Sequence, residues 1–180
     1  MNKRKPTAPQ PVADASTLEQ VALRHLNRFD ATVAGMRRIL GAHCRRAGLG
    51  QAEARELIEA LLARYSASGL LDDARYAAAA AHGQRRRGAS RRAIEQKLMQ
   101  RGVAPADARA AIDDADSEAD DAELTAALAF ARRRRLGQHR APADRTKFRQ
   151  KDLAALARAG FDIDTARRAL GARDDDDESF

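Results

Sequence analysis

The chain contains few of the residues that build a large protein core. Only 4% of its 180 residues are aromatic, and it has no tryptophan. Alanine accounts for 42 residues, which is more than half of the 44% hydrophobic fraction. Because a buried Leu, Ile or Phe contributes about 1.5–3 kcal/mol and alanine much less, we expect thin, local cores. Alanine favours helices over strands, so the composition predicts an all-α protein and excludes β-barrels and sandwiches.

The sequence also lacks features that mark secretion or membrane insertion. The single cysteine, Cys44, cannot form an internal disulfide, which fits a reducing compartment. No apolar h-region follows the basic start of the chain. No all-apolar run is longer than that at residues 76–81, which is far short of the roughly 20 residues of a membrane helix. We therefore expect a cytoplasmic protein that makes no membrane contact.

Signatures of catalysis and of cofactor binding are missing too. The sequence has no GxxxxGK or GxGxxG loop, and its four histidines fall in separate segments without an HExxH or Cys/His cluster. His43 and Cys44 are sequence neighbours, so on a helix their side chains point about 100° apart and form a poor dyad. We expect no enzyme activity, no metal and no cofactor, and we expect a monomer.

A threefold repeat is the clearest pattern that the sequence does contain. Glycine is followed by an apolar residue at 48–49, 102–103 and 160–161, and an Ala-Arg pair follows five residues later in each copy. Glycine tolerates the left-handed conformation that follows many helix ends, so each copy indicates a corner between two helices. The spacings predict three tandem three-helix repeats, at 17–71, 72–116 and 117–173. We expect these repeats to form an elongated, curved rod, with a disordered N-terminal arm at 1–16 and an acidic C-terminal tail at 174–180.

Local signals predict where several helices begin. Asp30, Ser90 and Asp144 are candidate N-caps for the middle helix of each repeat, and Ser117 with Asp120 resembles a capping box. Pro105 fits the first turn of a helix. Cys44 aligns with Leu98 and Leu156 of the other copies, which predicts a small core residue rather than a reactive thiol.

The chain has a net charge of +7, and its basic residues are concentrated in two stretches, residues 84–101 and 132–151. Four consecutive arginines repel one another, so a polyanion or an acidic protein groove is the expected counter-charge. Solvated helix surfaces are the alternative interpretation. Aromatic residues for stacking on bases are scarce, so any nucleic-acid contact should be to phosphates. The candidate contact residues are Arg85, Arg86, Arg87, Arg91, Arg92, Lys97, Arg101, Arg132, Arg133, Arg134 and Arg135.

The stretch 69–77, Gly-Leu-Leu-Asp-Asp-Ala-Arg-Tyr-Ala, resembles the central signature of the RecX family, bacterial regulators of the RecA recombinase. The Arg-rich continuation to Gly88, the segment 91–103, the opening at 22–26 and the last corner at 158–170 are also similar to that family. The resemblance implies a tandem three-helix-repeat protein without a catalytic site. It further implies binding in the groove of the RecA–DNA filament, with restraint of ATP hydrolysis, strand exchange and filament growth, and so a role in homologous recombination and DNA repair.

Two other functions stay open on the sequence alone. The chain could be an autonomous DNA-binding protein that occupies strands, or a helical scaffold for a different acidic partner. If the chain is a recombinase regulator, reversing the charges of Arg85, Arg86 and Arg87 should weaken inhibition of the recombinase ATPase without changing helicity. The acidic tail either shields the basic face or is inert, and the sequence favours the inert interpretation.

Overall fold

The computed structural model describes residues 13–171, and the secondary structure of this part of the chain is entirely helical. The predicted all-α class is therefore confirmed. Residues 1–12 of the predicted arm and the whole predicted acidic tail lie outside the described residues. The described helices are α1 (Ala15–Leu26), α2 (Val33–Arg46), α3 (Gln51–Ala67), α4 (Asp73–Arg86), α5 (Arg91–Arg101), α6 (Pro105–Asp116), α7 (Ala122–Arg134), a short 3-10 helix (Gly137–His139), α8 (Pro142–Arg158) and α9 (Ile163–Ala169).

The described chain divides into two compact units, one ending at residue 73 and the other beginning at residue 74. The buried apolar residues of the first unit form one cluster that runs from Leu18 to Leu71. Those of the second unit form two clusters, one within residues 77–112 and one within residues 126–169, and both are rich in alanine. These clusters are local, as the composition predicts, whereas the boundaries of the three repeats stay a prediction.

The three glycine corners share one local geometry. Gly48, Gly102 and Gly160 have φ angles of +72°, +90° and +96°, in the left-handed region. In each corner the N–H of the residue after the glycine donates to the carbonyl of the residue five positions earlier, over 3.1–3.2 Å. This is the hydrogen bond of the Schellman motif, which satisfies a carbonyl at the end of a helix. The predicted corners are confirmed. They were predictable because this motif depends on local sequence.

The carbonyls that accept these bonds belong to Cys44, Leu98 and Leu156. All three side chains are at most 2% exposed, and they occupy equivalent places in the three buried clusters. Burial raises the pKa of the Cys44 thiol. The prediction that Cys44 is a core residue is confirmed.

Ser90 caps α5 as predicted, since its hydroxyl accepts a hydrogen bond from the N–H of Ala93. The prediction for Asp30 is wrong. The N-cap of α2 is Thr32, which accepts from the N–H of Gly35, because α2 begins at Val33 and Asp30 lies too early to reach it.

Two further N-cap predictions are also wrong. Asp144 lies inside the first turn of α8, since Pro142 is already at the first helical position. Ser117 ends α6 instead of starting α7, and its hydroxyl donates to a carbonyl of α6. Asp121 is the N-cap of α7, so the predicted box of Ser117 and Asp120 does not form. Pro105 does stand in the first turn of α6, as predicted.

Across residues 13–171, no helix has both the length and the hydropathy that crossing a bilayer requires. In the same part of the chain, His, Cys, Asp and Glu side chains do not gather in any group of three or more that could hold a metal ion.

Candidate basic interface

The turn that ends α4 packs on the middle of α7 at Gly88. This residue is buried and has a φ of +73°, and a Cβ placed on it would lie 2.6 Å from the Phe130 nitrogen and 2.7 Å from the Ala126 oxygen. Both atoms belong to the backbone of α7, so only glycine permits this approach. The guanidinium of Arg133 also donates to the carbonyl of Arg87. The two helix ends are therefore in direct contact.

This contact brings exposed arginines from both basic stretches close together around one pair of helix ends. We call this group the α4–α7 arginine surface. Among the residues that the structure describes, no carboxylate forms an ion pair with any of these arginines. The negative ends of the α4 and α7 dipoles reduce, but do not cancel, the repulsion among them. The members of the α4–α7 arginine surface are Arg86, Arg87, Arg132, Arg133, Arg134 and Arg135.

One aromatic ring supports this surface from beneath. The guanidinium carbons of Arg133 and Arg134 lie 5.6 and 5.8 Å from the centre of the Phe130 ring. Phe130 is partly buried and packs edge-on against Phe161, with ring centres 5.9 Å apart. The ring therefore positions two arginines and is not presented as a flat stacking platform.

Arg85 is not part of the surface, which corrects its place among the sequence-based contact candidates. Its side chain is only 8% exposed and donates to the carboxylates of Asp116 and Glu123 over 2.6–2.7 Å, and to the carbonyl of Ala89. Burial by itself would lower the pKa of the Arg85 guanidinium, but its hydrogen bonds with Asp116 and Glu123 outweigh burial and raise the pKa. Arg85 joins α4 to α6 and α7. Reversing its charge would break this core contact, so it does not belong in a test of surface binding.

Arg91 and Arg92 face carboxylates, not an open basic surface. The Arg91 guanidinium pairs with Asp113 at 2.6 Å, and its backbone N–H donates to Glu123 over 3.1 Å. Both arginines line an open cleft of about 610 Å³. This surrounding negative charge makes them poor contacts for a polyanion. The carboxylates that line the cleft are Glu95, Asp116, Asp120, Asp121, Glu123 and Asp162.

The remaining candidates, Lys97 and Arg101, are exposed on α5. At about 100° per residue, Lys97 lies about 140° around the helix from Arg92. Arg92 therefore does not share the face of Lys97 and Arg101, which lie one helical turn apart. Among the sequence-based candidates, those at the ends of α4 and α7 form the largest exposed group without carboxylate partners in the described part of the chain.

A buried carboxylate holds the loop that follows the arginine surface. Asp152 is 1% exposed and accepts two hydrogen bonds from Arg140, at 2.6 and 2.7 Å, and one from the N–H of Gly137 at 2.9 Å. The Arg140 guanidinium beside Asp152 holds the pKa of that carboxyl below its usual value, with help from the Gly137 N–H. Sequence reasoning missed this residue. The available signal is that Asp152 precedes the core residue Leu156 by four positions and so shares its buried face.

A second contact that the sequence did not reveal joins the last corner to α5. The Ser90 hydroxyl donates to the carbonyl of Ala159 over 2.6 Å, in addition to capping α5. A Cβ on Gly160 would lie 2.5 Å from that hydroxyl oxygen. Together with the contacts of Glu123, this packing links the two buried clusters of the second unit.

The first unit, taken by itself, contains a different basic feature. An open groove of about 930 Å³ lies between α2 and α3, and its apolar lining includes Leu49 and Ile58. Arg38, Arg45 and Arg55 stand at its edges. The sequence did not indicate this groove, because its arginines are scattered along two helices and form no run.

Comparison with known proteins identifies the family. A family model described as the second three-helix domain of RecX matches residues 72–112. The regulatory protein RecX of Myxococcus xanthus is 39% identical to the chain over 173 residues, which cover 93% of this chain and 91% of that protein. The regulatory protein RecX of Halorhodospira halophila is 35% identical over 167 residues, or 92% of this chain and 94% of that protein. No solved structure shows significant similarity. The chain belongs to the RecX family of regulatory proteins.

Proposed function

We propose that this RecX-family chain regulates the RecA recombinase by setting the α4–α7 arginine surface against acidic side chains or phosphates of the RecA–DNA filament. In this proposal the chain lies in the filament groove and restrains ATP hydrolysis, strand exchange and filament growth. It acts in the cytoplasm as a monomer, through binding and without a catalytic step of its own. Family membership supports the regulatory role, and the arginine surface supports the mode of binding.

The observation that carries the proposal is a set of exposed arginines without an internal counter-charge in the described part of the chain. Clustered like charges raise the free energy of the unbound protein, and an external anion removes that penalty. Guanidinium groups also match carboxylates and phosphates with paired hydrogen bonds. A filament made of protein and DNA offers both kinds of anion.

The central experiment compares two double charge reversals in the full chain. The test variant carries Arg86→Glu and Arg132→Glu, one from each helix end. The matched control carries Arg24→Glu and Arg28→Glu, which change the net charge equally in the first unit. Both pairs are exposed, so we expect helicity by circular dichroism to be unchanged in both variants.

We expect the test variant to need at least about ten times more protein for half-inhibition of the recombinase ATPase, a loss of about 1.4 kcal/mol. The control should inhibit like the unmodified chain. Equal inhibition by both variants would move the contact surface elsewhere on the molecule.

A salt titration separates this proposal from autonomous DNA binding. If phosphates dominate, the test variant should lower the magnitude of the slope of log affinity for single-stranded DNA against log salt by about 1.4, about 0.7 for each lost cation. Capture of the recombinase in the absence of DNA favours the regulator. Inhibition that follows DNA affinity alone, with no such capture, favours a DNA-binding protein. If the chain binds neither recombinase nor DNA, the remaining function is that of a scaffold for another acidic partner.

A further inference from the structure

The described chain ends beside the α4–α7 arginine surface. Leu170, which follows α9, packs on Gly137, so that a Cβ on Gly137 would lie 3.1 Å from the Leu170 Cα and 2.7 Å from its Cδ2. Gly137 comes only two residues after Arg135, the last arginine of the surface. The backbone at residue 171 is therefore close to the end of α7.

The sequence that follows is strongly acidic. Asp174–Glu178 is an unbroken run of carboxylates that begins three residues after Gly171. Three extended residues span at most about 10 Å, and seven span about 24 Å. The acidic run can therefore reach Arg132–Arg135 without any movement of the helices.

Charge also selects this surface over others near the end of the chain. The neighbouring basic side chain Arg168 is paired with Asp121 at 2.8 Å, and Arg140 is paired with Asp152. The arginines at the end of α7 have no carboxylate partner among residues 13–171. Arg145, which donates to the carbonyls of Gln138 and Arg140, lies near the same end of the chain, but Arg132–Arg135 form the longer run of basic residues within reach.

We propose that Asp174–Glu178 occupies the α7 end of the arginine surface when no partner is bound, and that an anionic partner must displace it. This intramolecular contact competes with the anionic partner. It lowers the apparent affinity of the chain for that partner by the fraction of time that the surface is covered. The regulatory consequence rests on the proposed function, because it concerns the same surface. The position of the chain end therefore favours shielding over the inert tail that the sequence suggested.

Three versions of the full-length chain test the docking directly. One neutralises the run (Asp174→Asn, Asp175→Asn, Asp176→Asn, Asp177→Asn and Glu178→Gln). A matched control keeps the charge (Asp174→Glu to Asp177→Glu). The third adds Arg132→Glu and Arg135→Glu to the neutralised chain. Backbone amide NMR signals of 132–137 are recorded for each version and for the unmodified chain at low and high salt.

We expect neutralisation to shift these amide signals at low salt, whereas the charge-preserving control leaves them unchanged. The shift should fade as salt rises, because exposed charge pairs are screened. Amide signals that do not shift on neutralisation at low salt would overturn the proposal, whatever the chain binds.

Affinity for a fluorescein-labelled oligothymidylate supplies the second measurement. Neutralisation should tighten binding about tenfold at low salt if the surface is covered about nine-tenths of the time, and the gain should shrink toward physiological salt. The gain should vanish when Arg132 and Arg135 are also reversed, since the two changes act through one contact. A gain that survives this reversal would place the effect elsewhere and overturn the proposal.

The recombinase ATPase distinguishes this inference from the proposed function. Amide shifts and tighter oligonucleotide binding, with no change in inhibition, would uphold the docking and reject the surface as the regulatory contact. Unshifted amides, together with weaker inhibition by Arg86→Glu with Arg132→Glu, would uphold the regulatory contact and reject the docking.

Discussion

Replacing Gly88 with Ala should test the contact on which the arginine surface depends. Alanine in the left-handed region costs about 1–2 kcal/mol. The added Cβ would also lie 2.6 Å from the Phe130 nitrogen and 2.7 Å from the Ala126 oxygen, and backbone atoms of a helix cannot move aside as a flexible side chain can. Such overpacking costs about 1–3 kcal/mol more. We expect a total loss of about 2–5 kcal/mol.

Gly69 provides a matched control for this substitution. Its φ is +72°, one degree from that of Gly88, but no atom lies within 4 Å of the position that a Cβ would occupy. Gly69→Ala should therefore carry only the conformational cost of about 1–2 kcal/mol. The difference between the two variants isolates the contact between Gly88 and α7.

Native-state hydrogen exchange can measure both variants, because it reports the free energy of opening helix by helix. Since 1.4 kcal/mol corresponds to a factor of ten, Gly88→Ala should speed exchange in α4 and α7 at least about 30-fold. It should also weaken recombinase inhibition, although every arginine of the surface is intact. If Gly88→Ala destabilises its unit no more than Gly69→Ala destabilises its own, the reasoning about the α4–α7 contact is refuted.

Three further predictions concern buried groups. Asp152→Asn should destabilise the second unit by about 1.5–3 kcal/mol in urea, because Arg140 loses its charged hydrogen-bond partner. Folding lowers the pKa of Asp152, so its contribution to the free energy of unfolding is complete above the unfolded pKa of about 3.9 and is lost as pH falls through the folded pKa. The variant should therefore lose less stability than the unmodified chain below about pH 4. An acid-unfolding curve as steep as that of the unmodified chain would contradict this. Cys44 should react with a disulfide reagent only as fast as its helix opens, and a rate like that of free cysteine in the folded protein would exclude its core position. Glu123→Gln should lower stability by about 1–3 kcal/mol in urea, since Arg85 stays buried with one carboxylate fewer, and an unchanged midpoint would show that Asp116 suffices.

The local features of this protein were largely predictable from its sequence. The corners at Gly48, Gly102 and Gly160 close through hydrogen bonds that span five residues, so the sequence around each glycine contains all the information needed. The cap at Ser90 is equally local. The wrong prediction for Asp30 shows the limit of such reasoning, because several polar residues before a helix can cap it and only the actual first turn selects among them.

The candidate interface was predictable only in part. Sequence reasoning found the arginines but could not separate Arg85, which is buried, from Arg86, which is exposed. One signal was available: Arg85 continues the four-residue spacing of the buried Ala77 and Ala81 along α4. Its partner Glu123 lies 38 residues away in the sequence, so no local pattern could reveal that contact.

The sequence alone determined that this protein is helical, where its glycine corners lie, that Cys44 is a core residue, and which segments are basic, since composition, periodicity and short-range hydrogen bonds settle those properties. Tertiary structure alone decided which arginines are exposed and which are internally neutralised. The physical reason is that helix ends far apart in the chain approach closely only where side chains are absent, as at Gly88, and that a charge becomes available for binding only when no neighbour in the fold has already paired with it.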